Sequence, residues 1–178
     1  MTAGILITFE GGDGSGKTTQ IRYLKERLKR RRIPVKAVRE PGGTQLGDKL
    51  RALLKSPDID MAAETEMLLF YASRVQLVRD VITPSLSEGE VIICDRFTDS
   101  TIAYQHYGMG INKKLIIYLN NFILKKIRPD FTFLNIVNKK NLKIRLNKRK
   151  NKNRYDNFNF KFYNNVQKGF LKLAKNKE

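Results

Sequence analysis

Phe9-Glu10-Gly11-Gly12-Asp13-Gly14-Ser15-Gly16-Lys17-Thr18-Thr19-Gln20 is the stretch on which the fold turns. Within it, Gly11 to Thr18 has the spacing G-x-x-x-x-G-K-[ST] at every required position. Each part has a physical job. Glycines let successive backbone N–H groups point into one concavity, which side chains would obstruct. A helix starting near Lys17 brings the positive end of its dipole to the same place. Lys17 can then reach β- and γ-phosphates, and the Thr18 hydroxyl can ligate Mg²⁺. By ordinary residue usage, under about 1% of such chains carry this spacing by chance, which weighs against a turn with no ligand.

The surrounding pattern agrees. Gly4–Phe9 is a short apolar run that predicts a buried strand before the loop. Ile21, Leu24 and Leu28 recur at helical spacing after it, predicting a helix from Lys17 to Arg31. Val35–Arg39 is the second predicted strand, and Glu40-Pro41-Gly42-Gly43 is a loop of strong breakers. Helices are predicted over Leu46–Leu54 and Glu64–Ser87. The second carries an apolar stripe of Met67, Leu68, Tyr71, Val75 and Val78, and Pro84 kinks or ends it. Val91–Cys94 is the clearest buried strand. Leu115–Ile127 is an amphipathic helix on Leu115, Ile116, Leu119, Phe122 and Ile123, closed by Pro129. Phe131–Val137 is the fourth strand. A basic helix over 139–148 and a last helix over 158–174 follow. Strands alternating with helices predict an α/β fold, a parallel sheet covered on both faces.

The chain has 178 residues and a formal net charge of +18. A hydrophobic fraction of 41% and 17 Phe and Tyr residues suffice for a packed core, which excludes disorder throughout. Apolar stretches are too short for a membrane-spanning helix. The Met-Thr-Ala-Gly start lacks the pattern of a secretory signal, and Cys94 is the only cysteine, so a cytoplasmic protein without a disulfide framework is expected. The charge is uneven. Residues 1–110 hold 16 basic and 14 acidic residues, whereas 111–178 hold 19 and 3. The second part also holds all 14 asparagines. Drift toward AT-rich codons and a selected electrostatic role both explain it. No repeat and no linker divides the chain, so residues 1–178 are expected to form a single domain.

A carboxylate is expected near the loop. Asp95 ends the Val91–Cys94 strand, and parallel strands present their carboxyl tips on one edge. There it can hold Mg²⁺ or its water, or simply cap the next helix. Arg96 follows, and its fork suits a phosphate. Phe70 and Arg74 lie i, i+4 on one helix face, pairing an aromatic plane with a donor fork that fits a stacked base. Core packing and a solvated arginine explain the same pair. Asp99, Tyr104 and Gln105 follow within one helix or turn and are equally readable as surface polar residues.

The strings FEGGDGSGKTTQ, REPGGTQLGDKLRALL, LLFYASR and DRFTDSTIAYQ, in this order from Phe9 to Gln105, resemble bacterial thymidylate kinases. Weaker similarity continues to Ala174. The resemblance implies a P-loop kinase fold, ATP and Mg²⁺ as cosubstrates, dTMP as acceptor, and a homodimer. It implies that Gly11, Gly12, Asp13, Gly14, Ser15, Gly16, Lys17, Thr18 and Thr19 hold ATP, and that Thr18 and Asp95 serve the metal. Phe70 would stack on thymine, Arg74 and Gln105 would read its edge, and Tyr104 would crowd the 2′ position. Arg51 and Arg96 would hold the acceptor phosphate. Asp13 would approach the 3′-hydroxyl and the metal, and Glu40 would position the acceptor site. With Gly14 and Ser15 in the loop, the transition-state cation is expected from a lid over about 143–156. Arg149 and Arg154 are its candidates, then Arg145; a basic solvated helix is the alternative.

Departures from the family pattern shape further expectations. The family continues past Ala174 with one more strand and helix, so a four-stranded sheet is expected here. His106 stands where Gly is usual and crowds Gln105; as the only histidine it is read as structural. Asn135 stands where a strand-ending Asp is common. No acidic residue lies between Lys148 and Tyr155, so self-repulsion favours an open lid. Two rival functions remain. One is another P-loop nucleoside or nucleotide kinase. The other is a catalytically impaired homologue that binds nucleic acid through its basic C-terminal half. With the charge excess placed outside the phosphate and acceptor motifs, nucleic acid is not the expected partner.

Overall fold

A computed structural model describes residues 4–138 and 154–175. Its centre is a four-stranded parallel sheet in the order β2-β3-β1-β4. The strands are β1 (Ile5–Glu10), β2 (Val35–Arg39), β3 (Val91–Asp95) and β4 (Phe131–Leu134). The predicted α/β class and four-strand count both match. β4 is shorter than the expected Phe131–Val137. After Leu134 the chain leaves the sheet, and Val137 turns into a cluster with the last helix.

Period-two alternation explains the layering. From β1, Leu6 joins Ile92, Cys94, Leu77, Ile82 and Phe97 on one face. Phe9 joins Val91, Ile93 and Ile21 on the other. β3 is apolar at Val91–Cys94 because helices cover both of its sides. α1 (Lys17–Arg30) covers the second face. α2 (Gln45–Lys55) starts at Thr44, whose hydroxyl accepts from Gly47 N at 3.0 Å.

The predicted Glu64–Ser87 helix is three pieces: α3 (Ala63–Leu77), a π-helical turn (Val78–Ile82) and α4 (Thr83–Ser87). Proline lacks an N–H and clashes with the carbonyl four residues back, and the wide turn directly before Pro84 accommodates both defects. The expected stripe also splits. Met67, Tyr71 and Val78 are buried, whereas Leu68 and Val75 stay exposed. A second π-helical segment, Ile102–Gly108, continues α5 (Thr98–Thr101). α6 spans Lys113–Leu124, shorter than predicted. Ile116 is buried, while Leu115 and Phe122 face outward.

α7 (Phe160–Lys175) packs Phe162, Tyr163, Val166 and Phe170 onto Ala103 and Tyr104 of the second π segment. The approach is close enough that a Cβ on Gly169 would lie 2.5 Å from the Tyr107 ring. No helix among the described residues is long and apolar enough to cross a membrane. The basic helix expected over 139–148 lies outside the described residues.

Candidate active site

Register sets the site. Arg39 and Phe9 pair with Asp95 from either side, so three strand tips share one row at the carboxyl edge of the sheet. The glycine loop leaves β1 there. Gly11 sits at φ +128°, and a Cβ on it would lie 2.2 Å from the Asn135 carbonyl oxygen. Only glycine fits. Lys17 folds back over the loop and donates to the carbonyls of Gly11 at 3.0 Å and Gly12 at 2.9 Å. Its burial pushes the ammonium pKa down to about 8, with Arg96 adding to the shift. Thr18 Oγ1 donates to Asp95 Oδ2 at 3.4 Å.

Arg96 spans the loop and the second π segment. Nη1 donates to the Gly11 carbonyl and Ser100 Oγ, both at 3.0 Å. Nη2 donates to Asp13 Oδ1 at 2.7 Å and Tyr104 Oη at 3.2 Å. The guanidinium also lies over the Tyr104 ring, 5.0 Å from its centroid. Arg96 reaches this place with φ +71°, a region that non-glycine residues rarely adopt and that recurs at functional sites.

Beneath this bridge lies Glu10, at 1% exposure. It accepts from Phe97 N at 2.8 Å and Ser100 Oγ at 2.5 Å. Burial, then the neighbouring Asp99, push its carboxyl up to about 7. An acid shifted upward holds more protons folded than unfolded between its ordinary 4.5 and 7. Stability therefore declines as pH rises through that window and levels off above it. The Glu10→Gln variant is expected to lose this slope. Parallel curves of melting temperature against pH for the two proteins would refute the assignment.

α3 supplies the opposite wall. Arg74 is 1% exposed and donates from Nε and Nη2 to Glu40 Oε2 at 2.8 and 2.6 Å. It also donates to the Phe97 carbonyl, Thr101 Oγ1 and Asn120 Oδ1, leaving one Nη1 hydrogen. Glu40 Oε1 is buried without a hydrogen-bond partner among the described residues. Glu40 precedes a cis bond to Pro41, whose carbonyl accepts from Arg51 Nη1 at 2.8 Å.

These walls enclose a cleft of about 400 Å³. Asp13 to Thr19 and Asp95 and Arg96 line one end. Phe70, Arg74, Tyr104 and Gln105 line the other, with Glu40 and Arg51 at the side. Size and lining fit a nucleotide-sized ligand with convergent polar groups. The thymidylate kinase family model matches residues 9–178. The chain belongs to the thymidylate kinase family. Thymidylate kinase from Wolbachia pipientis wMel is 44% identical over 172 residues, spanning 96% of this chain and 85% of that protein. The Oceanobacillus iheyensis thymidylate kinase is 40% identical over 174 residues, 96% and 77% of the two chains. A crystal structure of thymidylate kinase from Ehrlichia chaffeensis matches with a TM-score of 0.81 at 38% identity, covering 98% of this chain and 84% of that one.

Within this thymidylate kinase family site, the cleft gathers the loop, acceptor and metal residues expected from the sequence, with five exceptions. Gly11 and Gly12 form the loop's start behind it. Arg145 and Arg149 lie outside the described residues. Arg154 is described, and it is held on α3: Nη1 donates to Glu66 Oε2 at 2.7 Å and Nη2 to the Met61 carbonyl at 3.1 Å. It is not among the residues lining the cleft. His106 does not line it either; Nδ1 donates to the Ile111 carbonyl at 2.8 Å.

Four participants escaped sequence reasoning: Glu10, Arg39, Glu66 and Tyr155. Arg39 and Tyr155 line the cleft, and Glu66 holds one of its walls. A usable signal existed for Glu66, because Glu66, Phe70 and Arg74 recur at i, i+4, i+8 on one helix face. Arg39 stood at a strand tip as Asp95 did. Glu10 gave no local sign, since its partners lie about ninety residues away.

Proposed function

We propose that the protein transfers the γ-phosphoryl group of ATP to dTMP, yielding ADP and dTDP. One observation carries this reading. A phosphate loop faces an aromatic and hydrogen-bonding nook across a single cleft, so two nucleotides can meet end to end. The loop from Gly11 to Thr19, whose Asp13 to Thr19 part lines the cleft, cradles the ATP phosphates. Phe70 stacks on thymine, while Arg74 and Gln105 read its edge. Tyr104 crowds the 2′ position, and Asp13 takes the 3′-hydroxyl. Glu40 Oε1, buried and unpartnered among the described residues, positions this acceptor end.

Transfer here is a matter of placement and charge, because the acceptor phosphate is already an anion. Lys17 exchanges the two loop carbonyls for the β- and γ-phosphates. Arg51 and Arg96 draw the acceptor phosphate into line, with Arg96 spending bonds now made to Asp13 and Tyr104. Thr18 and Asp95 set two hard oxygens 3.4 Å apart beside the loop, which fits Mg²⁺ completed by phosphate oxygens and water. When bound, that ion would neutralise charge on the β- and γ-phosphates. Arg149 and Arg154 remain the proposed lid cations; Arg154 must first leave Glu66.

The decisive experiment is an ADP-release assay comparing dTMP, dUMP, thymidine and CMP. A clear preference for dTMP is expected. Greater turnover with any other acceptor defeats the assignment. We further propose a homodimer acting in the cytoplasm, supported by exposed Leu68, Val75, Tyr118 and Phe122 on α3 and α6. Light scattering that returns a single-chain mass of 20.6 kDa would refute the dimer.

A further inference from the structure

Glu66 stands one turn before Phe70 on α3, and its side chain is 0% exposed. Its carboxylate is held by Gln105 and Arg154, with Tyr155 beside it. Gln105 Nε2 donates to Oε1 at 2.8 Å, and Arg154 Nη1 donates to Oε2 at 2.7 Å. Gln105 is itself 1% exposed and lines the cleft beside Phe70, Arg74 and Tyr104. An ionised carboxylate accepts hydrogen bonds and donates none. The amide must therefore turn its NH₂ toward Glu66. Its oxygen is the atom left for the cleft, and that oxygen has no hydrogen-bond partner among the described residues. Gln105 thus turns its amide oxygen, an acceptor, to the cleft, with an N–H committed to Glu66.

We propose that Glu66 is a positioning residue that sets base choice. By locking the Gln105 amide, it admits a pyrimidine with an N–H at ring position 3 and rejects one with a lone pair there. This rests on the reading that Gln105 faces the acceptor base. Thymine and uracil carry the N–H; cytosine carries the lone pair. Two acceptors set face to face lose a bond and leave both groups desolvated, and sites built to hydrogen-bond discriminate strongly by this route. Arg154 completes the device while the acceptor binds, before it leaves Glu66 for the phosphates. Burial pushes the Glu66 carboxyl up, and the Arg154 guanidinium, 2.7 Å from Oε2, opposes that shift and favours the acceptor-only carboxylate.

Glu66→Gln tests the idea with almost unchanged shape. A glutamine there can donate or accept, so the Gln105 amide is free to invert. Calorimetric Kd values for dTMP, dUMP and dCMP give the readout. The dCMP-to-dTMP Kd ratio is expected to fall about tenfold in E66Q, while the dUMP-to-dTMP ratio stays within twofold. A dCMP-to-dTMP ratio within threefold of wild type overturns the proposal, because a merely structural role weakens all three alike. In a Gln105→Leu background, adding E66Q is expected to leave the ratio unchanged; a further tenfold change there also overturns it. Arg154→Met supplies a second route if E66Q does not fold, since a buried carboxyl without its cation takes up a proton and can donate to the amide. It should move the same ratio in the same direction, and an unmoved ratio counts against the lock. The wild-type ranking of the three nucleotides tests the acceptor assignment separately.

Discussion

Lys17→Ala is expected to lower kcat by about 10²–10³-fold, the scale for removing one preorganised charge from developing negative charge. The geometry makes the lysine hard to replace. Lys17 is 6% exposed, and its ammonium sits over the carbonyls of Gly11 and Gly12, within the loop that would cradle phosphate. Water entering an alanine cavity brings dipoles but no fixed positive charge. Folding should survive, because the Gly11 carbonyl keeps its bond from Arg96 Nη1 and a desolvated cation is removed. Single-turnover rates alongside thermal melts check both halves. A loss of less than tenfold, or a protein that no longer melts cooperatively, sinks the argument. The wild-type pH profile gives an independent reading. Lysine loses its charge as pH rises, so kcat/KM for ATP should decline above about pH 8. A profile flat to pH 9.5 (an order-of-magnitude bound about 1.5 units above that value) would remove Lys17 from the rate equation.

Arg74→Met should be the most destabilising single change in the cleft, at about 3–5 kcal/mol. Arg74 and Glu40 are 1% and 3% exposed, and their contact is 2.6 Å. Burial pushes the Glu40 carboxyl up, and the Arg74 guanidinium opposes that push. Without the guanidinium, a carboxylate is left buried without its cation. The Phe97 carbonyl, Thr101 Oγ1 and Asn120 Oδ1 each lose a donor as well. For a chain of this size the melting temperature should drop by on the order of 10 °C. Pairing Arg74→Met with Glu40→Gln should recover part of the loss, since no charge is then stranded. A drop under about 2 °C for the single variant, on the same scale, would mean that water reaches the pair.

The two predictions draw on very different parts of what the sequence made legible. Lys17 lies within a string of eight residues whose spacing is itself the mechanism, and β1 and β3 announce themselves as apolar runs. Phe70 and Arg74 could be placed on one face by helical period alone. Their partners could not. Glu40 and Arg74 lie 34 residues apart, and Glu66 and Gln105 39 apart. A buried glutamate looks like a surface glutamate until the chain is folded around it. Apolar stripes misled for a related reason. Leu68, Val75 and Phe122 belong by period to helix faces, yet the described chain leaves them exposed, because periodicity reports a face without saying what covers it.

Cys94 illustrates how placement alone can confer a practical property. It is the chain's single thiol, in the middle of the sheet at 0% exposure, donating to the Arg96 carbonyl at 3.0 Å. Burial raises its pKa well above that of an ordinary thiol, so it resists alkylation in the native state. Any reagent that labels it must wait for β3 to separate from its neighbours. The chain therefore contains its own clock for rare opening of the sheet, readable by mass and requiring no introduced probe. Because the strand carrying that thiol ends at Asp95, nucleotide saturation should slow the clock by tying the strand tip to the ligand.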